Sequence, residues 1–450
     1  MSISLQNLKI YLAELQHQYN EIYQEIYGAE RLGLDVKAVR GCRDRLSNIL
    51  EQIGDISGKK ILDIGSNMGY FSLALADRGA YVISLEPDEK FRRIQNILAS
   101  NLGLSQRIIS LNLPLCTDSI NFLKRNFAHF DIIIMLSLWH HFIGTDRWEK
   151  YSSLPIIGGL VRYIWQKKHL QTEVDKANTL CKQIFSLGEK IFFDTGQSDE
   201  QRCRHLHLLP DMGDNPGDWI LNNIFGDDIY YNKKIIGHHI PHTSKKPRYL
   251  ISANIKYNDT IEFSGAYESS PIDKKFKIDI KKQIVLGASE INKVGFCDEN
   301  IMPYDCKTGE NKFKFGGNLN DLLRAGASLD YRYIAKRIVQ KVFDIHEKYN
   351  IAHNDLRLWN IIFSLPEYDI YIIDFERCKS LESGRDNDIL MLRFILNHIA
   401  RKRGTIGIDY PENIERFVKL SIGDYASECH TRQDFVKFID SEKFYNISDK

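Results

Sequence analysis

Two clusters of residues in the chain have types and spacings suited to chemistry. The first reads Asp63-Ile-Gly65-Ser66-Asn67-Met-Gly69 at the end of the apolar stretch that starts at Lys60, and a second apolar stretch, Tyr81-Val-Ile-Ser-Leu-Glu86, closes on an acid. Glycines at 65 and 69 let the backbone approach a ligand where a β-carbon would clash. A carboxylate about 20 residues further on suits the hydroxyls of a ribose, so a nucleoside-type cofactor is the chemistry this pattern serves. The second cluster places His353, Asp355 and Asn360 in Ile351-Ala-His-Asn-Asp-Leu-Arg-Leu-Trp-Asn-Ile-Ile-Phe363, with Asp374 in Tyr371-Ile-Ile-Asp-Phe-Glu376. The plain alternatives are a βαβ unit with glycine turns and no cofactor, and a chance arrangement of Asp and Asn in loops.

A dinucleotide fingerprint requires Gly-x-Gly-x-x-Gly to seat a pyrophosphate on a helix N-terminus, and this turn has too few glycines. It resembles instead motif I of the class I S-adenosylmethionine-dependent methyltransferases, Asp-x-Gly-x-x-x-Gly, with Asp63, Gly65, Gly69 and Glu86 in the matching places. The resemblance implies S-adenosyl-L-methionine held around Asp63, Gly65, Ser66, Asn67, Gly69, Glu86 and Ser137. Leu136-Ser-Leu-Trp-His-His-Phe142 falls just after the fourth strand of such a sheet, on the acceptor side. His140 or His141 there could serve a hydroxyl acceptor as general base, or orient a phosphate. For at least one of the pair, a structural hydrogen bond is the plainer reading. Trp139 and Phe142 are expected to line the pocket. Asp194 and the group Arg202, Arg204, His205 and His207 suit a phosphate or phospho-sugar, or else form a solvated charged loop.

The second cluster resembles the catalytic loop and metal-binding turn of the protein-kinase-like fold, keeping the spacing His-x-Asp-x-x-x-x-Asn. By that resemblance Asp355 is the catalytic acid, Asn360 and Asp374 hold the metal, Asp388 braces the loop, and ATP with magnesium is the implied cofactor. The small lobe is short, with Ser264-Gly265, Lys277 and Glu290 as candidates for the phosphate loop, strand lysine and helix glutamate. An active kinase, a nucleotide-binding scaffold and a scaffold binding nothing are all compatible with this.

The elements that must position these residues follow from periodicity. Leu5, Leu8, Leu12, Leu15, Tyr19, Ile22 and Ile26 recur at helical spacing, predicting an amphipathic helix up to about Gly28. A second helix is predicted over 35–53. Helices over 88–100 and 118–126 alternate with strands at 60–64, 81–86, 108–111 and 131–136, which predicts a parallel sheet covered on both faces. A helical insertion over 145–187, strands at 190–194, 233–240 and 248–254, and a helix over 216–225 complete the unit, the last two strands as an antiparallel edge. Further on, helices are predicted over 319–325, 330–348 and 389–399. The expected fold is α/β, a Rossmann-like seven-stranded class I methyltransferase domain over 29–258 behind an N-terminal helix over 1–28. A protein-kinase-like α+β domain over 259–450 follows, its N-lobe about 259–317 and its C-lobe about 318–450.

At 450 residues the chain exceeds what one core usually serves. Its 60 basic and 59 acidic residues leave a net charge of +1, no general reason to bind nucleic acid. Eight cysteines without a Cys-x-x-Cys or paired Cys/His spacing argue against a disulfide framework or zinc site, and for a cytoplasmic protein. No apolar run reaches a membrane span; surface association with a membrane and oligomerisation stay open.

A methyltransferase followed by a kinase-like domain resembles the bifunctional enzymes that cap bacterial O-antigen polysaccharides, the WbdD family. The likeness runs from Ile22-Tyr-Gln-Glu-Ile-Tyr-Gly28 to the Asp374 turn, and departs from that family in the shortened small lobe and in lacking the long coiled coil after the kinase. It implies O-methylation of a glycan or phospho-glycan end, with phosphorylation by the second domain. A methyltransferase on another small acceptor with a regulatory pseudokinase, and a non-catalytic assembly module, are the alternative functions.

Overall fold

The computed structural model describes residues 5–19, 22–127, 129–143, 155–198, 209–240, 246–256, 315–365, 367–402 and 429–444. The chain divides into two compact units, Met1–Asn121 with His129–Ser264, and Phe122–Ala128 with Gly265–Lys450. The expected boundary at 258, the candidates Ser264, Gly265, Lys277 and Glu290, and the group Arg202, Arg204, His205 and His207 lie outside the described residues.

In the first unit a seven-stranded sheet is formed by β3 (Lys60–Ile64), β4 (Tyr81–Leu85), β5 (Ile108–Leu111), β6 (Phe130–Leu136), β7 (Gly188–Asp194), β8 (Tyr230–His239) and β9 (Arg248–Ile255). Its order is β5-β4-β3-β6-β7-β9-β8. Neighbours are parallel through β7, while β9 runs antiparallel to both β7 and β8. The central strands are apolar and buried along nearly their whole length, as parallel strands covered on both faces must be. Strand order reverses direction between β3 and β6, and ligands of such sheets sit outside the strand ends at that switch.

Helices α1 (Leu5–Tyr19), α2 (Arg43–Ile53), α3 (Tyr70–Ala76), α4 (Glu89–Asn101), α5 (Thr117–Phe127, whose residues from Phe122 on belong to the second unit), α6 (Pro155–Phe185) and α7 (Pro216–Asn223) accompany the strands in the chain. Local chemistry sets their starts. Asp88 caps α4 by accepting the Lys90 amide at 2.8 Å, and α7 begins with Pro216 after the cap Asn215. None of the helices among the described residues is long and apolar enough to cross a membrane.

Two expectations change here. The first helix stops at Tyr19, because Ile22 and Gln24 form a strand, β1 (Ile22–Gln24), paired in parallel with β2 (Ala38–Arg40). The burial of Ile22 and Gln24 alternates with exposed Tyr23, so this stretch has the period of a strand although its apolar spacing also fits a helix. The second helix starts only at Arg43 for the same reason, since β2 takes the residues before it.

In the second unit, β10 (Phe315–Asn318), β12 (Ile361–Leu365) and β13 (Asp369–Ile372) make an antiparallel sheet ordered β10-β12-β13. A two-residue ladder joins β11 (Ile351–Ala352) to β14 (Lys379–Ser380). Helices α8 (Leu319–Arg324), α9 (Tyr331–Tyr349) and α10 (Leu381–Ala400) pack on these strands, and α11 (Arg432–Asp440) packs on α9. Asp330 caps α9 and Asn350 ends it in the left-handed region. Helix α10 begins at Leu381 and not at the predicted 389, so Asp388 lies two turns inside it.

Candidate functional site

The β3–α3 turn is built by backbone. The amides of Gly65 and Ser66 both donate to the Leu85 carbonyl, at 2.8 and 3.2 Å, and the Gly69 amide donates to Ser66 O at 2.9 Å. Gly65, Asn67 and Gly69 all have positive φ, of 67°, 54° and 81°. The glycines also serve close packing within the protein. A β-carbon on Gly65 would stand 2.6 Å from Leu138 Cδ1, and one on Gly69 would stand 2.5 Å from Gln95 Cγ.

Asp63 is buried and accepts the Ser72 hydroxyl at 2.5 Å, fastening β3 to α3. Burial pushes its pKa up to about 6, against the lowering effect of Ser72. Glu86, just past β4, binds the Asn67 amide with Oε2 at 2.8 Å and the Asp88 amide with Oε1 at 2.9 Å. It is 7% exposed, and burial raises its pKa while those two amides pull it down. A carboxylate has about four lone-pair positions, so Glu86 retains acceptor capacity for a diol. The Gly65–Gly69 turn and this acid fit S-adenosylmethionine.

Two expected ligands are committed elsewhere. The Ser66 hydroxyl points into a buried network with Ser84 Oγ at 2.7 Å and Gln95 Oε1 at 3.1 Å, so it fastens the turn to β4 and α4. Ser137, held at φ 62°, donates its hydroxyl to Asp194 Oδ1 at 2.7 Å and its amide to the Asp194 carbonyl at 2.9 Å. Arg248 in turn donates to Ser137 Oγ at 2.9 Å. Ser137 therefore locks β6 to β7 and β9.

Beyond β6, a 3-10 turn runs Trp139–His141. Trp139 is fully buried, with Nε1 donating to Asn178 Oδ1 at 2.9 Å and its ring edge-on to Trp219, so it is core and not the pocket wall the sequence suggested. His140 Nδ1 accepts the Gly196 amide at 3.0 Å and lies 3.2 Å from Thr195 Oγ1, which makes it the structural member of the pair and places its proton on Nε2. His141 lies on the exposed side, its ring centroid 4.2 Å from that of His140. The surrounding protein and Arg248 both depress its pKa, keeping it neutral.

Asp194 is completely buried, and besides Ser137 its partners are arginines that no motif marked. Arg45 Nη1 donates to Oδ2 at 3.2 Å, and Arg40 Nη2 lies 3.9 Å away. Burial alone would raise the Asp194 pKa, but Arg45, Arg40 and Arg248 hold it well below the usual carboxylate range. Arg40 comes from β2, Arg45 from α2 and Arg248 from β9. Three separate segments without a shared motif supply them, so only the fold reveals the cluster.

In the second unit the His353–Asn360 loop is braced as expected. Asp388, buried in α10, accepts the His353 amide at 2.8 Å, the Asn354 amide at 2.7 Å and His346 Nε2 at 2.9 Å. His353 accepts the Asp355 amide on Nδ1 at 3.2 Å, so Nε2 carries the proton donated to the Ile373 carbonyl at 2.9 Å. That bond ties the loop to the residue preceding Asp374. Asp374 has φ 64°. Asp355 pairs with Arg357 Nε at 2.6 Å and lies 3.9 Å from Arg377. Asn360 Nδ2 donates to the Asp355 carbonyl at 2.9 Å, whereas its buried Oδ1 has no partner. A buried amide oxygen without a partner is a ligand of the kind a hard cation such as magnesium takes, so the chemistry of Asn360 fits that ion.

No protein-family model matches the chain. The chain is 27% identical over 114 residues, 24% of its length, to the tRNA U34 carboxymethyltransferase of Desulfotalea psychrophila, covering 32% of that protein. A solved co-crystal structure of WbdD and the kinase inhibitor LY294002 aligns over 96% of this chain and 95% of that one, at 16% identity and a TM-score of 0.39. Over 414 residues the chain is 22% identical to the O-antigen chain terminator bifunctional methyltransferase/kinase WbdD of Escherichia coli, covering 81% of this chain and 52% of that protein. The chain spans about half the length of that curated relative, and across that span it is similar to a bifunctional methyltransferase/kinase.

Proposed function

We propose that this protein is an S-adenosylmethionine-dependent O-methyltransferase acting on a glycan or phospho-glycan end, with a kinase-like second unit that phosphorylates the acceptor. The observation that carries the reading is Glu86, an acid at a strand end clamped by the amides of Asn67 and Asp88 beside the glycine turn. The strand order supports a class I methyltransferase sheet, and the similarity to WbdD supports the glycan acceptor. The scattered cysteines support a cytoplasmic place.

S-adenosylmethionine supplies an electrophilic methyl group when bound. Glu86 takes the ribose hydroxyls, and the turn from Gly65 to Gly69 lets the backbone approach. His141, kept neutral by its surroundings, can receive the proton of a hydroxyl acceptor, while a phosphate acceptor is already an anion and needs only placing. In the second unit Asp355 orients the acceptor hydroxyl, and Asn360 Oδ1 with Asp374 holds magnesium for ATP.

Product analysis tests this. Purified protein given S-adenosylmethionine, ATP and magnesium should methylate a sugar or phospho-sugar, and mass spectrometry should show phosphate on the acceptor when ATP is present. Methyl transfer to none of these acceptors would overturn the reading.

A further inference from the structure

The second unit contains a segment from far earlier in the chain, Phe122–Ala128, which is the end of α5 and the residue after it. Its side chains meet the corner between β10 and α8. Arg125 donates to Asp321 Oδ2 through Nε at 3.0 Å and through Nη2 at 2.6 Å, and Asn126 Nδ2 donates to the same oxygen at 3.2 Å. Asn126 Oδ1 accepts the Asn318 amide at 3.2 Å. Asn318 in turn caps α8, its Oδ1 accepting the Asp321 amide at 2.8 Å and its Nδ2 donating to Asp321 Oδ2 at 3.1 Å. Asn126, Asn318 and Asp321 are all buried. Their packing is close, since a β-carbon on Gly317 would stand 2.7 Å from Asn126 Oδ1.

The corner held in this way stands behind the candidate metal ligand. Both α8 and β10 pack on the 3-10 turn Leu358–Asn360. In the β10–β12 ladder Asn318 is opposite Ile362, two residues after Asn360. The Asn360 carbonyl accepts the amide of Ile373, the residue before Asp374, at 2.9 Å. The direction of the buried Asn360 side chain is therefore set by a backbone that rests on β10 and α8. A part-exposed ion pair such as Arg125–Asp321 adds little to global stability by itself. Removing one partner from a buried set of hydrogen-bonded amides leaves the others unsatisfied, so Asn126 fixes where Asn318 and Asp321 stand.

We infer that Arg125 and Asn126 are positioning residues for Asn360: a segment encoded before β6 sets the corner on which the Leu358–Asn360 turn rests. The inference rests on the reading of Asn360 as a magnesium ligand and can be tested apart from it. On this account the sequence after 258 does not by itself encode a complete second unit.

Hydrogen exchange is followed by mass spectrometry in the intact protein without nucleotide, and ADP is titrated calorimetrically with and without magnesium. Arg125→Gln and Asn126→Ala should accelerate exchange over 318–323 and 358–362 while α10 and the strands β3 to β6 exchange at the parent's rate. Without magnesium both variants should bind ADP as the parent does, and the gain in affinity from magnesium should shrink about threefold to tenfold. Arg125→Lys, which keeps a charged donor on Asp321, should keep the parent's gain. Arg125→Gln is the milder change, at a side chain 36% exposed, and decides the matter if Asn126→Ala unfolds the unit. Exchange over 358–362 equal to the parent's overturns the inference. So does an unchanged magnesium gain beside faster exchange over 318–323, which would make the corner structural only. Faster exchange over 358–362 in variants of a parent that gains nothing from magnesium would leave the positioning standing and remove the metal reading of Asn360.

Discussion

Leu138 Cδ1 occupies the space that a β-carbon on Gly65 would need, at 2.6 Å. Gly65 is therefore required by the loop after β6 as well as by its own φ of 67°. Gly65→Ala should lose roughly 1–2 kcal/mol to backbone strain and about 1–3 kcal/mol to overpacking. Adding Leu138→Ala should recover the second part only. Thermal unfolding of the two variants, with S-adenosylhomocysteine titrations alongside, checks this; no recovery in the double variant would refute the packing account.

Glu86→Ala should weaken S-adenosylhomocysteine binding by about 1.5–3 kcal/mol, because the diol loses charge-assisted bonds and the amides of Asn67 and Asp88 lose their acceptor. Glu86→Gln should not rescue it. Both carboxylate oxygens accept an amide, and one of them would become an NH2 group facing a donor. Calorimetry on both variants decides the matter.

Asp63 gives a pH signature. Its proton is held more tightly in the folded state, with the pKa moved from 3.8 to about 6. Its contribution to stability is therefore greatest below pH 4 and declines as pH rises towards 6, by about 3 kcal/mol in all. His239, with its pKa depressed to about 4, acts in the opposite sense over the same range. Subtracting the urea-unfolding profile of Asp63→Asn from that of the parent isolates the first effect. A difference that stays flat between pH 4 and 6.5 would show that Asp63 is ionised in the fold.

Asp374 separates charge from backbone. Asn tolerates the left-handed region that φ 64° demands. Asp374→Asn should fold as the parent does while losing magnesium-dependent ATP binding, and Asp374→Ala should lose a further ~1–2 kcal/mol of stability. Unchanged ATP binding with magnesium in Asp374→Asn would mark the second unit as a scaffold.

Asp388→Ala strands His346 and the amides of His353 and Asn354 at a cost of about 1–3 kcal/mol for each buried donor. Hydrogen exchange should accelerate at amides 353 and 354 before it does in α9. Protection equal to the parent's would contradict the bracing role.

What the sequence disclosed follows the range of the interactions involved. The β3–Glu86 segment and the strand alternation were legible because each is set by local period or by a turn with strict backbone demands, whereas the bracing of His353 by Asp388, 35 residues away, was expected only through the resemblance to the kinase-like fold. Ser66, Ser137 and Trp139 stood in the right stretches, but side-chain direction is decided by Gln95, Asp194 and Asn178, which are distant in the chain. The Arg40, Arg45, Arg248 and His239 cluster has no local signal at all. The end of the first helix was misread because Ile22 and Ile26 fit period 3.6 as well as a short strand, and only pairing with Ala38 decides between them.

The β1–β2 ladder has a consequence for where this catalytic unit begins. Tyr23, in β1, receives a hydrogen bond from Arg40, and Arg40 reaches Asp194 at the far end of the fold's connectivity. A fragment starting after residue 28, at the edge of the sheet-forming sequence, would keep the β3–α3 turn and yet lose β1, and with it the Tyr23 that backs Arg40. The opening residues are therefore part of the packing around Asp194, and their removal should be felt at Arg40 before it is felt at the cofactor turn.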